Sequence, residues 1–229
     1  MEKEYIRDKL SGFEYIPLIP EDTFSFECKL CGNCCRNVES AVPIETLDLF
    51  RIAKFLNKAT EDVITEYTDT LLLAPNFPVL FMNTKGSEKE CVFLKDNHCS
   101  IQDGKPRTCR MYPLSASPDN NGALEDIWVA KEHHRYAPGN LRVRDWMADS
   151  LSLEDREFLR LEYGYVREMG FLVGFLSDKP NMDILANMLI HRYFAYNTHD
   201  EFIPQYKNNM SMLLKGFRRL AAEMRQELN

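Results

Sequence analysis

All seven cysteines of this chain fall between residues 28 and 109, and the rest of its 229 residues contain none. Thiols crowded into one stretch bring several chain segments to one place, which limits the folds open to that stretch more than any other feature does. Four of them read Cys28-Lys-Leu-Cys31-Gly-Asn-Cys34-Cys35, two overlapping Cys-x2-Cys spacings followed by an adjacent cysteine. A Cys-x2-Cys turn lets two thiolates converge on one metal, with Gly32-Asn33 supplying positive φ where the turn needs it. The run also opens like a bacterial ferredoxin motif, but the x3-Cys-Pro completion is missing, so zinc and iron both stay open.

The second group is Cys91, Cys99 and Cys109, set in Glu90-Cys91-Val-Phe-Leu-Lys-Asp-Asn-His98-Cys99 and Lys105-Pro106-Arg107-Thr-Cys109-Arg110-Met-Tyr112-Pro113. Residues 92–94 read as a short strand, Asp96-Asn97 as its turn, and Lys105-Pro106 as a rigid bend presenting Cys109. Arg107 and Arg110 flank Cys109, where they can offset thiolate charge or stand as solvated loop cations. His98 reads as a turn residue.

The cysteine-rich stretch resembles the YkgJ-type cysteine-cluster family, described as zinc or iron chelators and related in sequence to the flagellin lysine N-methylases. The resemblance rests on Cys28-x2-Cys31-x2-Cys34-Cys35, on Cys91 and Cys99, and on the Lys105 to Pro113 segment. It implies metal or iron–sulfur cluster binding by the matched cysteines. The family's pattern also places a further cysteine ahead of a Val-Arg-x-Trp segment, matched here by Val143-Arg144-Asp145-Trp146. This chain carries His133-His134 there. Seven thiolates exceed the four that one tetrahedral ion takes, and two closed sites need eight ligands, so His134, or His133 beside it, is expected as the eighth.

Composition narrows the setting. Seven is an odd number, and with no apolar signal core after the charged N-terminus the chain is expected in the reducing cytoplasm, where a disulfide framework is disfavoured. The longest apolar runs fall well short of the roughly 20 residues that span a bilayer. With 35 acidic against 28 basic residues, the net charge of −7 gives no electrostatic reason to bind nucleic acid or an anionic membrane.

The remaining pattern predicts an α+β protein, mainly helical, with a small cysteine-rich module of short strands and loops and a C-terminal helical region. A helical insertion is expected over about 41–73, with Pro43 at a first helical position and Ile44, Leu47, Phe50, Phe55 and Leu56 on its apolar face. Thr60 should cap a second helix whose stripe runs through Val63, Ile64, Tyr67 and Leu71. Residues 79–83 and 124–130 read as strands, and Ser152 as the cap of a helix reaching Gly170. Helices are expected over 182–196 and from 201 to about 226. The organisation expected is a metal module over 1–140 and a helical region over 141–229, packed with it as one domain or as a separate lobe.

No Gly-x-Gly turn, Walker A loop or His-Glu-x-x-His is present, and His199-Asp200 with His191 is a weak phosphohydrolase signal. Two functions are open. One is a metal-binding protein with two sites, zinc placed ahead of iron or an iron–sulfur cluster, whose helices meet a protein partner. The other is an iron–sulfur enzyme acting on a protein substrate, like the lysine methylases, against which the missing glycine-rich cofactor turn counts.

Overall fold

The structure is a computed structural model that describes residues 6–7, 14–39, 41–130 and 140–227. It is an α+β protein, with short strands concentrated before residue 143 and helices after it. A four-stranded antiparallel sheet runs in the order Ile6–Arg7, Glu14–Leu18, Leu124–Ala130, Leu114–Pro118. A second sheet sets Phe77–Met82 between Pro43–Ile44 and Thr68–Ala74. The hairpin Leu94–Lys95/His98–Cys99 turns at Asp96 and Asn97, whose φ values of 49° and 61° are those of the mirror-image turn that closes two-residue hairpins. The expected turn is there, although the strand begins at Leu94 rather than at residue 92.

Helix α1, Thr46–Leu56, starts where the Asp48 carboxylate accepts the Glu45 N–H at 3.3 Å, and ends at Asn57 in the left-handed conformation. Pro43 does not open this helix. It lies in a strand paired with Phe81, because its ring faces outward there and Ile44 can be buried beside Leu80. Phe55, expected on the buried face, is 44% exposed, with Gly104 packed against its Cβ. Helix α2, Thr60–Tyr67, also differs from expectation. Thr60 is its first residue rather than its cap, and its hydroxyl donates to the Phe194 carbonyl at 3.0 Å. The helix stops at Tyr67, and Leu71 belongs to the strand Thr68–Ala74, so the segment 41–73 is a strand, two helices and a strand.

The short helix α3, Arg107–Met111, follows Pro106. Helix α4 is Val143–Ser150, and α5, Leu153–Leu176, begins at a reciprocal cap in which Ser152 Oγ accepts the Asp155 N–H at 3.1 Å and Asp155 accepts the Ser152 N–H at 2.8 Å. It passes Gly170 and Gly174 without a break and stops at Ser177, shortly before Pro180. Helix α6, Met182–Leu189, runs into a π-helical turn, Ile190–Phe194, and α7 is Phe202–Glu227.

Three apolar clusters hold these elements. Phe158, Leu159, Met169, Phe202, Tyr206, Leu213 and Phe217 of α5 and α7 meet Leu47 and Phe50 of α1. The opposite side of α1, Leu49, Ile52 and Ala53, packs with Val63, Leu80, Phe93, Ile101 and Cys91, and Cys35, Cys99 and Cys109 lie against that cluster. A third cluster joins Phe24, Phe26, Met111, Leu114, Ile127, Val143 and Met147. α1 is thus the wall common to the helical core and the cysteine core. No helix among the described residues is long and apolar enough to cross a membrane.

Candidate metal centre

The first cysteine loop is bent by two left-handed residues, Leu30 at φ 53° and Gly32 at φ 68°. Asn33, expected to share that role, instead begins a 3-10 turn, Asn33–Cys35. Gly32 is required for a second reason. A Cβ there would lie 2.6 Å from the Asn97 carbonyl oxygen and from Leu94 Cδ1, so the loop rests directly on the turn of the hairpin that carries Cys99. Arg36 fastens the same contact, donating to Asn97 at 2.6 Å and to Glu90, next to Cys91, at 3.0 Å. Backbone bonds from Asn37 and Val38 to Glu88 and Lys89 continue it.

Together these contacts bring five thiols into one electrostatic group. The Cys35 thiol donates to Cys34, and that hydrogen bond, helped by the Lys105 ammonium, holds Cys34 down to about 6. Cys35 is pushed far up by giving that bond, by burial, and by the charges of Cys34, Cys91 and Cys109. Burial, followed by the charges of Cys91, Cys34 and Cys99, pushes Cys109 up strongly. Burial also raises Cys91 and Cys99, against backbone donors at Phe93 and Ile101. In front of the group is a narrow cleft of about 40 Å³, walled by Cys28, Cys31, Cys34, Cys35, Cys99, Lys105 and Tyr112. A larger hollow of about 290 Å³, between α5, α6 and α7, is lined by no cysteine or histidine.

Cys109 is aimed by its helix, and α3 is gripped from two sides. Arg107 donates its backbone N–H to Asp48 at 2.7 Å and its guanidinium to both Glu45 oxygens at 2.8 Å. Arg110 donates to both Asp155 oxygens at 2.9 and 2.7 Å and to the Ser150 carbonyl at 3.0 Å. Arg51 reaches the same carboxylate at 2.5 Å. Burial alone would raise Asp155, but Arg110, Ser152 and Arg51 outweigh it and keep the group well below the ordinary carboxylate range. The two arginines beside Cys109 are therefore neither thiolate counter-charges nor solvated; they are structural ion pairs to α1 and α5. Burial and the Glu45 charge push Asp48 the other way, up to about 7. Glu45, Asp48, Arg51 and Asp155 were not foreseen as parts of the site.

Of the seven expected cysteines, Cys28, Cys31, Cys34, Cys35 and Cys99 thus line the cleft, while Cys91 and Cys109 belong with the apolar cluster against which Cys35 and Cys99 also lie. Among the described residues, no three Cys, His, Asp or Glu side chains are grouped so that they could hold a metal ion as they stand. The chemistry of the donors nevertheless suits a thiophilic cation, since Cys91, Cys99 and Cys109 are hard to ionise chiefly through burial and then through the charges of neighbouring thiols, a penalty that a metal cation would offset. Where metal binds, these cysteines would hold it. His98 is exposed and bonds the Asp96 carbonyl, as a turn residue. His133 and His134 lie outside the described residues.

Residues 27–135 match the family model CxxCxxCC, described as a putative zinc- or iron-chelating domain. No curated protein and no solved structure matches the chain. The matched span, just under half of the chain, holds all seven thiols and the helix that aims Cys109, and in that stretch the chain is similar to this cysteine-cluster family of zinc- or iron-chelating domains.

Proposed function

We propose that this chain is a metal-binding protein in which Cys28, Cys31, Cys34, Cys35, Cys91, Cys99 and Cys109 chelate two metal ions, zinc ahead of iron, while residues 141–229 brace the site and offer a surface to a protein partner. One observation carries the reading: four segments distant in sequence are folded so that five thiols share one electrostatic field behind a cleft. Packing alone gives no reason to crowd buried, mutually opposing thiols, whereas a soft cation makes such a set favourable. The cytoplasm, which keeps thiols reduced, suits this role.

Metal analysis of protein purified without oxygen, together with a visible spectrum, tests the proposal. The expected result is a colourless protein with two zinc ions per chain. A brown protein absorbing near about 400 nm and bleached by dithionite would replace zinc by an iron–sulfur cluster and bring the methylase-like alternative forward. Metal-free protein with every thiol open to titration would contradict chelation altogether.

A further inference from the structure

We infer that the strand Thr68–Ala74 is a docking edge for a second copy of this chain, which adds its own Thr68–Ala74 strand antiparallel about a two-fold axis. The inference is independent of metal binding. This strand ends its three-stranded sheet, with Phe77–Met82 along one side of it. Every residue from Asp69 to Ala74 is exposed, Leu71, Leu72 and Leu73 at 45%, 49% and 72%. An outer strand of this length is ordinarily blunted by lysines, a proline or a covering element, and the segment Thr68-Asp-Thr-Leu-Leu-Leu-Ala74 has neither of those residues. Its ladder shows which backbone groups are open. Asn83 donates its N–H to the Tyr67 carbonyl at 2.9 Å, and Met82 donates to Val42 on the opposite side at 2.9 Å. Since Thr68 lies opposite Met82, Asp69 and Leu71 turn their N–H and C=O groups toward Phe77–Met82, and Thr68, Thr70 and Leu72 turn theirs outward. The Ile64 carbonyl takes the Thr68 N–H. Among the described residues, no backbone group meets the N–H of Thr70 or Leu72.

The edge is complementary to itself. Bonds form only in a register that sets outward residues against outward residues. Centred on Leu71, that register exchanges bonds between Thr70 of each copy and Leu72 of the other, lays Leu71 against Leu71, and uses the ladder ahead of the irregularity between Leu72 and Ala74. Charge favours the same arrangement. Asp69 is the one charged residue of the strand, and antiparallel pairing keeps the two copies of it apart while carrying each toward the other copy's Pro75-Asn76 turn. There Lys179 is exposed, its carbonyl accepting the Asn76 amide at 2.8 Å. Asp178 adjoins Lys179, so this attraction orients the pair more than it holds it. Growth stops at two copies, because the far edge of the sheet is the two-residue strand Pro43–Ile44. A seven-residue strand is well short of the roughly 20–30 residues a side of a standard interface, so the dimer is reversible and depends on concentration.

The test uses the full chain, kept reduced so that no disulfide joins two copies. Sedimentation velocity should show monomer passing to dimer, and no further, as concentration rises through the micromolar range. Hydrogen exchange on the same samples needs no variant: the amides of Thr70 and Leu72 should gain protection with concentration, while those of Asp69 and Leu71 are protected throughout. Leu72→Pro, which an outer strand accommodates, removes one outward donor from each copy and should weaken the dimer about tenfold or more. A chain that stays monomeric at every concentration would overturn the proposal. So would a dimer that Leu72→Pro leaves intact, or one in which Thr70 and Leu72 exchange as they do in the monomer, since either puts the contact elsewhere. A monomer whose Thr70 and Leu72 amides become protected only when a synthetic valine–lysine strand peptide is added would overturn self-pairing and give the edge to another protein's strand.

Discussion

The two regions that meet on α1 are built on different terms. Beyond residue 143 the chain forms regular helices: α5 and α7 pack Phe158, Phe202, Tyr206 and Phe217 into a core that apolar burial alone can hold. Phe202 is stacked between Tyr196 and Tyr206 with centroids 5.5 and 5.4 Å away. In the cysteine region several strands are only two residues long, and every positive φ among the described residues falls at or before Gly122. Turns of that kind cost conformational free energy and bury little, so something other than apolar area has to fix them. The comparison teaches that the cysteine region, besides its own apolar clusters, leans on α1 and α5 through Arg51, Arg107 and Arg110.

Breaking that lean should have the largest effect of any one substitution outside the cysteines. Asp155→Ala leaves Arg51 and Arg110 without their shared carboxylate, and removing one partner of a buried pair costs about 3–5 kcal/mol. Because both arginines keep some solvent contact, the lower end is expected, read from urea unfolding. Metal affinity should fall with it, since α3 aims Cys109. A smaller loss, about 1–3 kcal/mol, is expected for Gly32→Ala, whose new Cβ meets backbone at Asn97; the effect should appear in the metal-loaded protein and leave the helical core unaltered.

Acid and base act on the two sides of α1 in opposite senses. Asp155 has a depressed pKa, so its stabilisation is complete above about pH 4 and is lost as pH falls below the unfolded carboxylate value. Asp48, raised to about 7, binds a proton more tightly in the folded state, so its effect is to lower stability as pH rises from about 4 to 7. The slope is at most about 1.4 kcal/mol per pH unit, and Asp48→Asn should flatten it in a series of unfolding curves. The smallest change belongs to the exposed pair Arg218–Glu168 at 2.6 Å, where Glu168→Gln should alter stability by less than about 1 kcal/mol in a thermal melt.

What could be read from the residues followed a physical divide. The Asp96-Asn97 turn, the Ser152 cap and the strand ending at Ala130 depend on neighbouring residues, and all were legible. The strand Thr68–Ala74 was missed because Leu71, Leu72 and Leu73 continue an apolar run that suits either period, and only pairing with Phe77–Met82 decides it. The site was legible as a set of thiols and illegible as a machine. Glu45 lies 62 residues from Arg107, and Asp155 lies 45 from Arg110, so no local spacing announces either ion pair. The same separation turned two apparent loop arginines into structural groups.

Residue-resolved hydrogen exchange before and after chelator treatment tests the central claim most directly, because it reads both regions in one sample. Structural zinc contributes on the order of 10 kcal/mol of binding free energy to folding. On metal removal, amides of Cys31 to Cys35, Leu94 to Cys99 and α3 should lose protection, while those of α7 from Tyr206 to Phe217 keep it. Unchanged protection throughout, with the melting temperature unmoved, would contradict the account.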